Sequence, residues 1–123
     1  MSFLLERLKI LTQDELKKAF GYTMIVFLDD YFSLAVAQRA GKMFHIRPRD
    51  GAPAYEQRYD WVGPFCGAFA QAMENGRWFH IHNDGAPAYE QRYDWVGPFS
   101  GVSAEVKKDG EKFRIHTDGT RAD

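Results

Sequence analysis

The chain holds four histidines, and all of them fall on one alternating set of positions. That set reads Met43, His45, Arg47, then Trp78, His80, His82, then Lys112, Arg114, His116. Residues two apart on a strand share a face, so His80 and His82 would present both imidazoles to the same side. Such a row suits three chemistries: metal ligation, a charge that switches near neutral pH, or anion binding. Metal ligation needs a third donor, and no Cys, Asp or Glu stands where it could supply one, so neither a metal nor a cofactor is expected. The simpler expectation is an exposed strand face, with His45, Trp78, His80, His82, Arg114 and His116 as the residues a partner would touch.

Two further residue sets invite a catalytic reading. Glu56, Asp60, Glu90 and Asp94 could form carboxylate pairs, but acid–base work on a glycosidic bond needs two carboxyls in different environments. These four lie in two identical stretches of sequence, which gives them identical surroundings. Cys66 could be a nucleophile, yet Ser100 fills the matching position and no histidine is fixed beside either in sequence. No enzyme is expected on these grounds; one with an unrecognised, asymmetric pocket would be a third reading.

The elements that position these groups follow from an internal duplication. Residues 50–65 read DGAPAYEQRYDWVGPF and residues 84–99 repeat all sixteen letters, 34 residues on. The flanks continue the match through Phe44-His45-Ile46, Phe79-His80-Ile81 and Phe113-Arg114-Ile115. Gly-Ala-Pro and Val-Gly-Pro within a dozen residues break helices, so the unit is β. Asn75-Gly76 and Asp109-Gly110, with Ala40-Gly41 as a weaker counterpart, suit type I′ hairpin turns.

Turns at those dipeptides set Ala37 opposite Phe44 and Ala35 opposite Ile46. They likewise pair Ala72 with Phe79, Ala70 with Ile81, Val106 with Phe113 and Ala104 with Ile115. These twelve residues form the expected core face. The other face pairs Gln71 with His80, Met73 with Trp78, Glu105 with Arg114 and Ser103 with His116. Between hairpins run linkers whose Tyr55, Tyr59, Trp61 and Phe65 recur as Tyr89, Tyr93, Trp95 and Phe99. Their first expected task is to staple neighbouring hairpins, because a lone hairpin buries too little surface. Their alternative use is glycan stacking, by Tyr55, Arg58, Trp61, Tyr89, Arg92 and Trp95.

The amino-terminal third has a different pattern. Thr12 and Glu15 fit a capping box, with Leu11 and Leu16 as a hydrophobic staple, opening a helix to about Phe20 that Gly21 can end. Residues 3–10 suggest another helical turn or two, and 22–28 read as a buried strand. The predicted fold class is therefore mainly β: tandem hairpin repeats of period about 34 residues with a short helical cap. The cap covers 1–21 and the repeat region 22–123, in units of about 22–58, 59–92 and 93–123, as one domain.

Composition narrows the partners. A formal net charge of −1 offers no excess of basic groups for phosphates, which disfavours nucleic acid. With 15% aromatic, 45% hydrophobic and 27% charged residues, the chain reads as globular. Its lone Cys66 permits no intrachain disulfide, which suits a reducing compartment. Charges interrupt the amino-terminal apolar run, and no stretch is long enough to span a bilayer, so a cytoplasmic location and no membrane contact are expected.

Tyr59-Asp60, Phe65-Cys66-Gly67-Ala68, Gly76-Arg77-Trp78, Ile81 and Asp84-Gly85 together give the region 29–119 a resemblance to the WG-repeat, or KWG-repeat, proteins of bacteria. A glycine usually follows the tryptophan in that family, whereas Phe79 does here, and Met43 and Lys112 stand in place of the tryptophan in the flanking copies. The resemblance implies a repeat scaffold. The expected function is a non-enzymatic scaffold for a protein or peptide bound along the repeated face, with a glycan-binding module as the alternative. The sequence stops where a third linker would begin, from which a homodimer or domain-swapped pair through the carboxy-terminal hairpin, 102–115, is expected. Closure of that hairpin onto 22–28 in a small barrel is the competing arrangement.

Overall fold

The computed structural model describes residues 12–26 and 34–122. Helix α1, Gln13–Phe20, begins at Thr12, whose side-chain oxygen accepts from the Glu15 N–H at 3.1 Å while the Thr12 N–H donates to the Glu15 carboxylate at 2.8 Å. Gly21 ends it at φ 74°, a left-handed position open to glycine. The capping box is thus as the sequence predicts. Leu11 and the helical turn expected over 3–10 lie outside the described residues.

Among the described residues nine strands follow, in three three-stranded antiparallel sheets. The first joins β1 (Met24–Val26), β2 (Ala35–Arg39) and β3 (Lys42–Ile46). The second joins β4 (Trp61–Val62), β5 (Ala70–Glu74) and β6 (Arg77–Ile81), and the third β7 (Trp95–Val96), β8 (Ser103–Lys108) and β9 (Glu111–His116). The strand expected over 22–28 is shorter among the described residues: Tyr22 and Thr23 precede it, and Leu28 lies outside them. Among the described residues β1 pairs only with β2, and the carboxy-terminal hairpin lies in a separate sheet, so the two do not close a barrel.

The three hairpins turn where the sequence predicts. Ala40 and Gly41 sit at φ 56° and 78°, Asn75 and Gly76 at 56° and 77°, Asp109 and Gly110 at 51° and 81°. Two consecutive positive φ values define the tight turn whose twist matches that of the strands. The registers follow, with Ala37 opposite Phe44, Ala72 opposite Phe79 and Val106 opposite Phe113. Eleven of the twelve residues expected in the core are buried, and Phe113 is half-buried. The exception has a local reason. Met43 and Trp78 each exchange two backbone hydrogen bonds with a following segment, at Tyr59 and Tyr93, and no described segment lies against Lys112 in the same way.

Each linker folds back along the second strand of its own hairpin. After β3 the chain bridges Ile46 through Pro53 and Met43 through Tyr59, and after β6 it bridges Ile81 through Pro87 and Trp78 through Tyr93. The Asp-Gly turns that start these returns are fixed by Asp50, Asp84 and Asp118, whose carboxylates accept the backbone N–H two residues on. No helix among the described residues is long and apolar enough to cross a membrane.

The packing generates a stability expectation. Phe79→Ala should destabilise by about 3 to 5 kcal/mol, as emptying a packed phenylalanine site does. Phe113→Ala should lose clearly less, because part of that ring already faces solvent. Urea denaturation of both variants checks the order; equal losses would mean that the last hairpin is covered as fully as the second.

Candidate functional site

Two of the four histidines have no solvent exposure. His45 and His80 are both 0% exposed, so the outward face of the first two hairpins is not a surface at their positions. What covers them is the linker. Tyr55 Oη lies 2.6 Å from His45 Nδ1, and the Gly63 carbonyl 2.8 Å from Nε2. A carbonyl can only accept, so Nε2 carries the proton and Nδ1 accepts from the tyrosine hydroxyl. The His45 backbone N–H donates to the same hydroxyl at 3.1 Å. The second sheet repeats the arrangement: Tyr89 Oη is 2.5 Å from His80 Nδ1 and the Gly97 carbonyl 2.7 Å from Nε2. Phe65 and Phe99 close the far side of the rings, with centroids 4.4 and 4.3 Å away.

This enclosure sets the chemistry of the rings. Burial away from water lowers both imidazoles to about 4, against a smaller opposing effect of the bonds to Gly63 and Gly97. Burial likewise raises the Tyr55 and Tyr89 hydroxyls. At neutral pH the four groups are uncharged hydrogen-bonding partners.

A second set of contacts ties each sheet to the element before it. The Tyr22, Tyr59 and Tyr93 hydroxyls donate to the carbonyls of Gly51, Gly85 and Gly119, at 2.6, 2.6 and 3.1 Å. Their rings meet Phe44, Phe79 and Phe113 edge-on, 5.7, 5.6 and 6.1 Å between centroids. Gly85 is pressed so closely on Tyr55 that a Cβ there would lie 2.3 Å from the ring, and Gly119 meets Tyr89 in the same way at 2.7 Å. At Gly51 the seat is taken instead by Leu16 and Phe20 of α1, 2.3 and 2.6 Å from such a Cβ.

Arg58 and Arg92 serve the linkers from inside. Arg58 Nη1 donates to the carbonyls of Tyr55, Glu56 and Gln57, each at 2.9 Å, and its guanidinium lies 3.9 Å from the centre of the Phe44 ring. Arg92 does the same for Tyr89, Glu90 and Gln91, 4.0 Å over Phe79. Asp60 holds the tip of the following hairpin: it accepts from Lys42 Nζ at 2.6 Å and from the Asn75 N–H at 2.8 Å, and these bonds lower its carboxyl. Asp94 takes the Asp109 N–H at 2.9 Å and Arg77 at 3.3 Å.

The expected site residues therefore divide. His45 and His80 leave the candidate binding face, because the linker occupies it. Trp78 is half-buried, tilted against Trp61 with centroids 5.2 Å apart, and His82 is half-buried beside Phe69 at 5.3 Å. Arg114 and His116 are exposed on the third sheet, where Arg114 Nε donates to Ser103 Oγ at 2.9 Å. The histidine row is not assembled into one surface. Of the glycan-stacking set, Tyr55 and Tyr89 are buried, and Arg58 and Arg92 each donate to linker carbonyls. Trp61 and Trp95 are half-buried, each ring folded onto Gly63 or Gly97. Among the described residues no three His, Cys, Asp or Glu side chains gather as metal ligands would.

Two open grooves lie where neighbouring sheets meet. One, of about 620 Å³, is lined by Tyr55, Glu56, Gln57 and Asp84; the other, of about 540 Å³, by Tyr89, Glu90, Gln91 and Asp118. Glu56 and Glu90 were legible as carboxylates in the linker, but their partners Asp84 and Asp118 come from the next Asp-Gly turn, which only the tyrosine contacts bring alongside.

Comparison with protein-family models and with curated proteins gives no match to the chain.

Removing one hydroxyl tests the enclosure. Tyr89→Phe leaves His80 Nδ1 buried with no donor, and an unsatisfied buried acceptor costs about 1 to 3 kcal/mol. Chemical denaturation at neutral pH measures the loss; a variant as stable as the parent would show that water reaches the ring.

Proposed function

We propose that the chain is a tandem array of 34-residue β units, of the WG-repeat kind, that acts as a non-enzymatic scaffold for a protein or peptide partner. The observation that carries this reading is the pair of grooves, which present tyrosine, glutamate, glutamine and aspartate in the same order at two successive junctions. A quasi-one-dimensional array offers such duplicated sites to extended partners. The histidines, tyrosines and arginines that could have served catalysis hold the array together.

Charge complementarity selects the partner's chemistry: exposed Glu56 and Asp84, then Glu90 and Asp118, suit an extended segment carrying two separated basic side chains. Two linked contacts bind more tightly than either alone, by an effective-concentration gain. Peptides selected by display against the immobilised chain should be rich in Lys or Arg. Their affinity should fall by about tenfold for Glu56→Lys and by about a hundredfold or more for Glu56→Lys combined with Glu90→Lys. Unchanged binding by the double variant would overturn the grooves as the partner site.

A further inference from the structure

We propose that His45 and His80 are a matched pair of acid-sensitive latches that hold each linker on its hairpin at neutral pH and release it on mild acidification. The hydrogen-bond directions around each ring make the latch. Nε2–H donates to a glycine carbonyl, and Nδ1 accepts from a tyrosine hydroxyl that itself accepts the His45 backbone N–H. A proton arriving at Nδ1 makes that nitrogen a donor facing a donor. The tyrosine hydroxyl would then have to turn its hydrogen elsewhere, in a site already closed by Phe65 in one case and Phe99 in the other.

Among the described residues, no carboxylate is bonded to either ring. On the strands opposite, His45 pairs with Val36 and His80 with Gln71. From the linkers, the titratable group in contact is Tyr55 at the first ring and Tyr89 at the second. Neither is a carboxylate. A buried cation without a counter-charge is relieved by exposing it, and the linker is what encloses both rings among the described residues.

The sign follows from linkage. Both rings sit near 4 in the folded chain, below the ordinary 6.5, so the opened state binds more protons as pH falls from about 6.5 toward about 4. Stability is full above that window and declines through it. Two sites of this kind raise the opening constant on the order of 10²- to 10³-fold between about pH 7.5 and about pH 5. Asp50, Asp60 and Asp118, all lowered by their hydrogen bonds, contribute only further down, near the carboxylate range.

The test is urea denaturation of the intact chain at about pH 7.5 and about pH 5, beside a His45→Gln, His80→Gln double variant. The parent should lose stability by the stated factor and the double variant should show almost none of that dependence. Should the double variant fail to fold, NMR titration of the parent's imidazole rings decides instead: both rings should still be neutral at about pH 5.5. A parent equally stable at both pH values, a double variant with the parent's full dependence, or rings protonating near 6.5 would each overturn the latch.

Discussion

An imidazole shut away from water must find a partner for each of its two nitrogens, and that demand fixes the path of both linkers. At His45 and His80 the partners are a tyrosine hydroxyl on one side and a glycine carbonyl on the other. The linker must therefore pass the ring twice, eight residues apart between Tyr55 and Gly63 and again between Tyr89 and Gly97, with a phenylalanine across the gap. Arg58 and Arg92 make the return possible by gathering three consecutive carbonyls that a tight loop would otherwise leave competing for water. A hairpin of two five-residue strands is too small to be stable on one face alone. Covering the second face with a chain segment that is itself fixed by polar bonds gives it two walls.

The third hairpin has no histidine at the corresponding position. Arg114 occupies the place of the buried histidines, opposite Glu105, and its outward neighbours are Ser103, Lys107, Lys112 and His116. This face is polar and in water, while Ala104, Val106 and Ile115 on the inner face stay fully buried. One backbone pattern thus accommodates a histidine beneath a covering linker and an arginine on a face that no described segment covers.

Much of the frame was legible in the amino-acid order because local rules determine it. Positive φ at Asn75-Gly76 and Asp109-Gly110, the alternation of Ala with Phe and Ile across strands, and the Thr12–Glu15 reciprocity each depend on residues within a few positions of one another. The hidden part was which polar face stays in water. A period of two assigns residues to faces, but it does not say what lies over them, and a His-rich, Trp-rich face reads as surface by composition. The information was present in a form that periodicity does not address: Tyr55, Gly63 and Phe65 matter to His45 only because the linker doubles back. The grooves were hidden for the same reason, since Glu56 and Asp84 belong to different turns. Phe113 was misjudged because its two counterparts owe their cover to segments that follow them.

Helix α1 places Leu16 and Phe20 on Gly51 where Tyr55 sits on Gly85 and Tyr89 on Gly119. The seat under these glycines takes side-chain carbon from a helix at Gly51 and from a linker tyrosine at Gly85 and Gly119, where a glutamine oxygen also closes in. A joint with so lax a requirement on one side and so invariant a glycine on the other is modular. On the repeat reading proposed above, a further stretch of the same sequence spliced in at that joint would meet surfaces of the same kind, and the two stretches of sixteen identical residues set the same tyrosine to occupy them.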